Sequence, residues 1–204
     1  MNTVAKYKTR EQWLTVAIDR LARHFKKVGE AVPMQIRASV GWTSMGKRTN
    51  RIGECWSDVC SADDHFEIFI SPTMSDPVLI LDVLIHEMVH AVVGLEAKHG
   101  PAFRKVALAI GLTGKMRSTV AGPELRAELE LHADWLGPIP HGALTAGLNT
   151  GPKKQSTRMI KGTCSACGFV CRASATQIAA ISANGTPRCP DVECDGELAF
   201  EANE

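Results

Sequence analysis

The stretch DPVLILDVLIHEMVHAVVGLEAKHGPAF, residues 76–103, decides the fold. Asp76 can accept bonds from the free backbone donors at a helix start, and Pro77 suits the first helical position. Leu79, Ile80, Val83, Leu84, Met88, Val89 and Val92 cover most of the circumference. The helix they predict is therefore buried; it runs to about Val93 and ends near Gly94. It carries His86-Glu87-Met88-Val89-His90, the pattern H-E-x-x-H. Residues four apart on a helix lie about 40° apart and one turn up, so both imidazoles can reach one Zn²⁺. Glu87 sits on an adjacent strip, close to a metal-bound water without being a ligand. That is what zinc hydrolysis needs: the ion acidifies water and a carboxylate takes the proton. A five-residue pattern with three fixed positions also arises by chance, and a histidine pair on an apolar helix also serves as a satisfied core pair. His99, in HGPAF at 99–103, tips the balance, because a catalytic zinc needs a third ligand and an open fourth position. Glu124 or Glu128, further downstream, are alternatives for that ligand. The extended pattern with Gly at 93 and His at 96 is excluded, since those positions are Val93 and Glu96.

Outward from this helix, the chain reads as α+β. Thr9 to Val28 has helical spacing in Trp13, Val16, Ala17, Ile18, Leu21 and Phe25. Pro33 to Trp42, Ile52 to Ser57 and His65 to Ser71 read as strands, the last with Phe66, Ile68 and Ile70 on one face. A helix follows Gly100-Pro101 and stops at Gly111 and Gly114. Pro123 to Leu136 is a further helix, with Leu125, Leu129 and Leu131 apolar. Gly137 to Gln155, rich in Gly and Pro, reads as a linker or an extended wrap. The expected division is a domain at 1–141, a linker at 142–157 and a Cys-rich module at 158–204.

That module carries five of the seven cysteines. Cys164 and Cys167, followed by Gly168, form a metal knuckle; Cys189 and Cys194 can supply the second pair. Twenty-one residues separate the pairs, close to the usual ribbon spacing. Four thiolates make a closed tetrahedral structural zinc site, and so small a module needs the metal to fold. The second pair departs from the C-x-x-C spacing, and Cys171 competes for a place; a small packing residue is the favoured reading for Cys171.

The 204 residues suffice for one domain with a real core plus a small module. The net charge of +1 gives no overall pull toward nucleic acid. It hides a split. Leu136 to Pro190 holds Lys153, Lys154, Arg158, Lys161, Arg172 and Arg188 with no Asp or Glu, while Asp191 onward holds only acids among its charged residues. The six basic residues are candidates for phosphate contact, and a solvated charge run is the plain alternative. No apolar run is long enough to cross a membrane, and no apolar signal core opens the sequence. Seven cysteines without a signal suggest a reducing, cytoplasmic setting. With no amphipathic seam left over, a monomer is expected.

The combination of HEMVHA at 86–91, HGPAF at 99–103 and a Cys-rich tail resembles the SprT-like metalloproteases, which include the Spartan proteins. EIFIS at 67–71, just before the metal helix, and Gly53-x-Cys55-Trp56 add to the likeness. The resemblance covers roughly Thr9 to Gly114 and Thr163 to Gly196. It implies a zincin-like domain of helices on a small three-stranded sheet, followed by a zinc ribbon. It implies His86, His90 and His99 as ligands of a catalytic zinc, Glu87 as general base, and Cys164, Cys167, Cys189 and Cys194 around a structural zinc. The implied activity is cleavage of proteins at or on DNA, with DNA reached through the basic linker and ribbon. A rival of another class is a DNA-associated adaptor or transcription-related factor with structural zinc and no proteolysis. Another is a zinc hydrolase acting on a non-protein amide.

Other residues carry weaker signals. Cys55 and Cys60 lack a second pair nearby, so packing is the simpler reading. His65, His132 and His141 have no partner spacing. Asp82, one turn before His86, could bond a ligand imidazole. Trp42, Trp56 and Trp135 read as core or cleft wall.

Overall fold

The computed structural model describes residues 6–44, 46, 51–145 and 159–201. The chain divides into two compact units, Met1–Asn149 and Thr150–Glu204, a division that falls within the 142–157 stretch.

The first unit opens with α1 (Arg10–Lys27). Thr9 caps it in a reciprocal box with Gln12, which satisfies two free donors. Trp13, Leu14, Ala17, Ile18, Leu21 and Phe25 form its buried stripe. Three strands follow: β1 (Ile36–Val40), β2 (Gly53–Trp56) and β3 (Phe66–Ile70). They form a mixed sheet in the order β1-β3-β2, parallel between β1 and β3 and antiparallel between β2 and β3. Ile68 and Ile70 point into the core from the central strand.

The decisive helix is α2 (Pro77–Val93), capped by Asp76, which accepts from the amides of Val78 and Leu79. Nine of its residues are buried, including Glu87 and His90. It touches α1, β2, β3 and the later helix Pro123–Leu136, so it is the central rod of the unit. Next come α3 (Pro101–Ala109), a hairpin of β4 (Leu112–Lys115) and β5 (Ser118–Ala121), and α4 (Pro123–Leu136). On α4 the buried residues are Leu125, Leu129, Ala133 and Leu136, whereas Leu131 points outward and is 69% exposed. The chain after α4 wraps back rather than leaving. Trp13 donates to the carbonyl of Gly137 at 2.9 Å, His141 bonds Pro72 O at 2.8 Å, and Leu144 N donates to the same oxygen at 2.8 Å. His141 thus clasps the end of the unit, and residues 142–144 belong to the wrap rather than to a free linker.

The second unit is built on an antiparallel sheet ordered β7-β6-β8, from β6 (Met159–Cys164), β7 (Val170–Ser174) and β8 (Leu198–Phe200). A short helix, α5 (Ala175–Ser182), follows β7. Neither α5 nor the β4–β5 hairpin is among the elements expected from sequence. No helix among the described residues is long and apolar enough to cross a membrane.

Candidate metal centres and cleft

Three histidines converge in the first unit. His86 and His90 come from one face of α2. The helix then stops at Gly94, whose φ of +83° suits only glycine comfortably, and a single 3-10 turn (Leu95–Ala97) leads to His99. This tight reversal returns His99 to the helix it has just left. Its Nε2 lies 3.2 Å from Nε2 of His90 and 3.3 Å from Nε2 of His86. Nitrogens about 2.0–2.1 Å from one tetrahedral ion are separated by about 3.3–3.4 Å. Three like nitrogens facing one point cannot all satisfy each other, so the trio could hold a metal ion. Burial, reinforced by the neighbouring rings, pushes His86 down to about 4 and His90 down to about 3. His99 is lowered too, by burial first and then by Arg117 and Arg51. All three therefore stay neutral near pH 7, which is the ligating form.

Two supports hold the trio. The fully buried ring of Phe103, from HGPAF, backs all three imidazoles at centroid distances of 5.0, 4.6 and 4.9 Å. Thr119 Oγ1 on β5 lies 2.7 Å from Nδ1 of His86. With Nδ1–H donating to that hydroxyl, Nε2 of His86 keeps its lone pair for an ion. Asp82 does not take this part. One of its oxygens meets the backbone of Ala121, and the other, Oδ1, is buried with no partner. The Thr119 contact spans 33 residues and depends on an element the sequence reading lacked.

Glu87 lies beside the trio, buried, where β2 passes close to α2. A Cβ on Gly53 would stand 2.4 Å from Val83 Cγ1 and 2.6 Å from Glu87 Oε1, so only glycine permits the approach. Cys55 N–H bonds the carboxyl. Burial, aided by the charge of Glu54, pushes Glu87 up to about 8 against the opposing pull of Arg51 and that amide. A dication at the histidines would favour its charged form. Burial likewise raises the Cys55 thiol. The histidines and Glu87 line an open cleft of about 610 Å³, with Arg51, Lys98 and Arg117 also on its wall. Glu124 and Glu128 are not among its lining residues; Glu128 bonds Lys27 at 3.1 Å and His24 at 3.3 Å instead. The third member of the group is His99.

The second unit brings Cys164, Cys167, Cys189 and Cys194 together. Sγ atoms lie 3.7 Å apart for Cys164 and Cys194, and 3.6 Å apart for Cys167 and Cys189. Sulfurs about 2.3 Å from a tetrahedral ion are about 3.8 Å apart, so the group is compatible with zinc. Gly168 turns the first knuckle at φ +76°, and Gly196 leaves room where a Cβ would come within 2.4 Å of Cys164 Sγ. Backbone bonds from Cys167 and Ala166 lower the Cys164 thiol, while the neighbouring sulfurs and burial raise Cys189 and Cys194, as expected when the group shares its protons. Cys171 stands on β7 opposite Gly162, outside the group of four.

The other candidates are scattered. Lys153, Lys154 and Arg158 lie outside the described residues. Lys161 pairs with Glu201 at 3.2 Å, and Arg188 faces Glu197 across an isolated bridge. Arg172 sits opposite Lys161 on the β6–β7 ladder. An acidic residue of the tail thus pairs with one of the three described basic residues. Cys60 is exposed and joins no metal-holding group among the described residues. His65 bonds the carbonyl of Asp63 at 2.7 Å. Trp42, Trp56 and Trp135 are 40, 39 and 48% exposed, so none is core. Trp135 instead lies between two cations, Lys6 at 3.4 Å and Arg20 at 4.0 Å. His132, without partner spacing in the sequence, meets His24 at 3.0 Å between α1 and α4.

Comparison with known proteins found no matching family model, no matching curated protein and no matching solved structure.

Proposed function

We propose that the chain is a zinc-dependent metalloendopeptidase of the SprT-like type, with a zincin-like catalytic unit and a zinc ribbon. One observation carries the reading. Three neutral imidazole Nε2 atoms converge 3.2–3.3 Å apart in an open cleft, with the Glu87 carboxyl beside them. A purely structural ion has no need of a carboxyl kept off the ligand set, nor of access from solvent.

Zinc bound there would acidify a water and polarise the scissile carbonyl. Glu87 accepts the proton of the attacking water and returns it to the leaving amine. Its burial and the Cys55 amide hold the carboxyl in one place between those two tasks. Thr119 holds His86 in the ligating tautomer, and Phe103 keeps the three rings together. In the second unit the four cysteines would hold a closed structural zinc.

The preference for proteins on DNA rests on the family resemblance and on the basic run 153–172. Arg172, Arg188 and the three basic residues at 153–158 would carry that role, because Lys161 pairs with Glu201.

The test is cleavage of an unfolded protein, and of a basic protein bound to single-stranded DNA, by wild type beside Glu87→Gln. Expected is cleavage by wild type alone, strengthened by DNA. An inactive wild type with both metals bound would move the reading to the adaptor class. Cleavage by Glu87→Gln would remove Glu87 as the base.

A further inference from the structure

Beside the metal cleft lies a second cavity of about 380 Å³, and the two share Gly53, His86 and Glu87. It therefore opens directly next to where a substrate bond would react. Leu79 and Val83 form one wall. They stand on the same stripe of α2 as His86, at helical steps of four and three residues. Met74, from the loop after β3, and Ile52, just before β2, contribute further apolar surface. Leu79 and Ile52 are each 46% exposed. Large aliphatic residues left open at the mouth of a cavity, on elements otherwise packed into the core, mark a binding surface rather than a packing defect.

We propose that this cavity is a specificity pocket for an aliphatic side chain, of leucine or methionine size, next to the scissile peptide bond. The inference rests on the peptidase reading above. The charges around the cavity offset one another, so its apolar wall decides the occupant. Arg51, which pairs with Glu54, and Arg117 lie at the border shared with the metal cleft, and so does Glu87. Asp82 also lines the cavity, with its Oδ1 buried and unpartnered. A charged side chain of either sign would lose its water on descending among Leu79, Val83 and Met74. An aliphatic group leaves every polar group as it stands and removes its own surface, and that of Leu79 and Ile52, from water.

Two readouts test this with the zinc-loaded full chain. The first is calorimetric binding of short peptide hydroxamates whose first side chain is Leu, Ala, Asp or Lys. The second is mass-spectrometric mapping of cut sites in unfolded casein. Both compare wild type with Leu79→Trp, whose exposed position tolerates the change and whose indole fills the cavity. The Leu compound should bind wild type about 10-fold more tightly than the Ala compound. Leu79→Trp should abolish that difference while still binding the Ala compound, and aliphatic enrichment at one position of the cut sites should vanish with it. Equal binding of Leu and Ala, preference for Asp or Lys, or a preference unchanged in Leu79→Trp would overturn the pocket. Leu-selective binding without any cleavage would uphold the pocket and remove the peptidase reading.

Discussion

Thr119 illustrates how much one hydroxyl can decide. Its 2.7 Å contact to Nδ1 of His86 leaves Nε2 as the nitrogen that could hold a metal ion. Losing such an outer partner commonly weakens metal affinity by about 10–100-fold. Thr119→Val should therefore release zinc from the histidine centre to a competing chelator at correspondingly lower chelator concentration, with the fold intact. An unchanged affinity would mean that Phe103 alone holds the ring. Gly53 is the second telling residue. Gly53→Ala should press on Val83 and Glu87, costing about 1–3 kcal/mol of stability and lowering cleavage more than metal binding. A denaturation midpoint equal to wild type would contradict the close approach. The three histidines that could hold a metal were legible, because the His86–His90 spacing is a property of one helix and His99 follows in the same stretch. Thr119 was not: it reaches His86 only through tertiary packing, and Asp82, which spacing offered equally as a partner of His86 or a helix-surface residue, turns to Ala121 instead.

At the scale of elements, α1 and α4 are joined by a chain of polar contacts through otherwise apolar packing. Arg20 Nε donates to His132 Nδ1 at 3.2 Å. His132 Nε2–H can then donate to His24 Nε2 at 3.0 Å, and His24 Nδ1–H to Glu128 at 3.3 Å. This sequence works only with both rings neutral. Burial foremost, with Arg20 and His24 adding to it, lowers His132 to about 4; burial also lowers His24, with Glu128 opposing. An unfolded histidine takes up its proton near pH 6.5. Stability from this pair is thus complete above pH 6.5 and is lost as pH falls from there toward 4. The melting temperature should drop between pH 7 and pH 5, and His132→Gln should flatten part of that drop. An identical slope in the variant would exclude the pair as its source. The long helices were legible from periodicity and caps, as α2 and its Asp76-Pro77 start show. The β4–β5 hairpin was not, since Gly111 and Gly114 look like helix stops and each strand has four residues. The helix α5 escaped for another reason: it has no buried residues, so no periodic stripe marks it.

The whole molecule consists of two units with different reasons to fold. The first buries a continuous core from Trp13 to Ile139. The second has few buried side chains, among them Cys164 and Cys189, and its four sulfurs occupy the place of a core. With zinc on those sulfurs, a module of this size would depend on the metal for folding. Stripping the metal should therefore remove hydrogen-exchange protection from β6 and β7 while α1 and α2 keep theirs. Protection that survives metal removal in both units would show that the cysteine group is ornamental to the fold. The two-part organisation was legible from cysteine placement and from the Gly- and Pro-rich stretch after Leu136. The path of residues 137–144 was not, because composition cannot tell a free tether from a segment clasped by Trp13 and His141.

The central claim is that this chain has two separate metal centres, one closed and one open. The most direct measurement is the zinc content of the purified full chain, wild type beside His90→Ala and Cys167→Ser. Two zinc ions per wild-type chain, and one in each variant, are expected. A single ion in wild type, or two retained in His90→Ala, would contradict it.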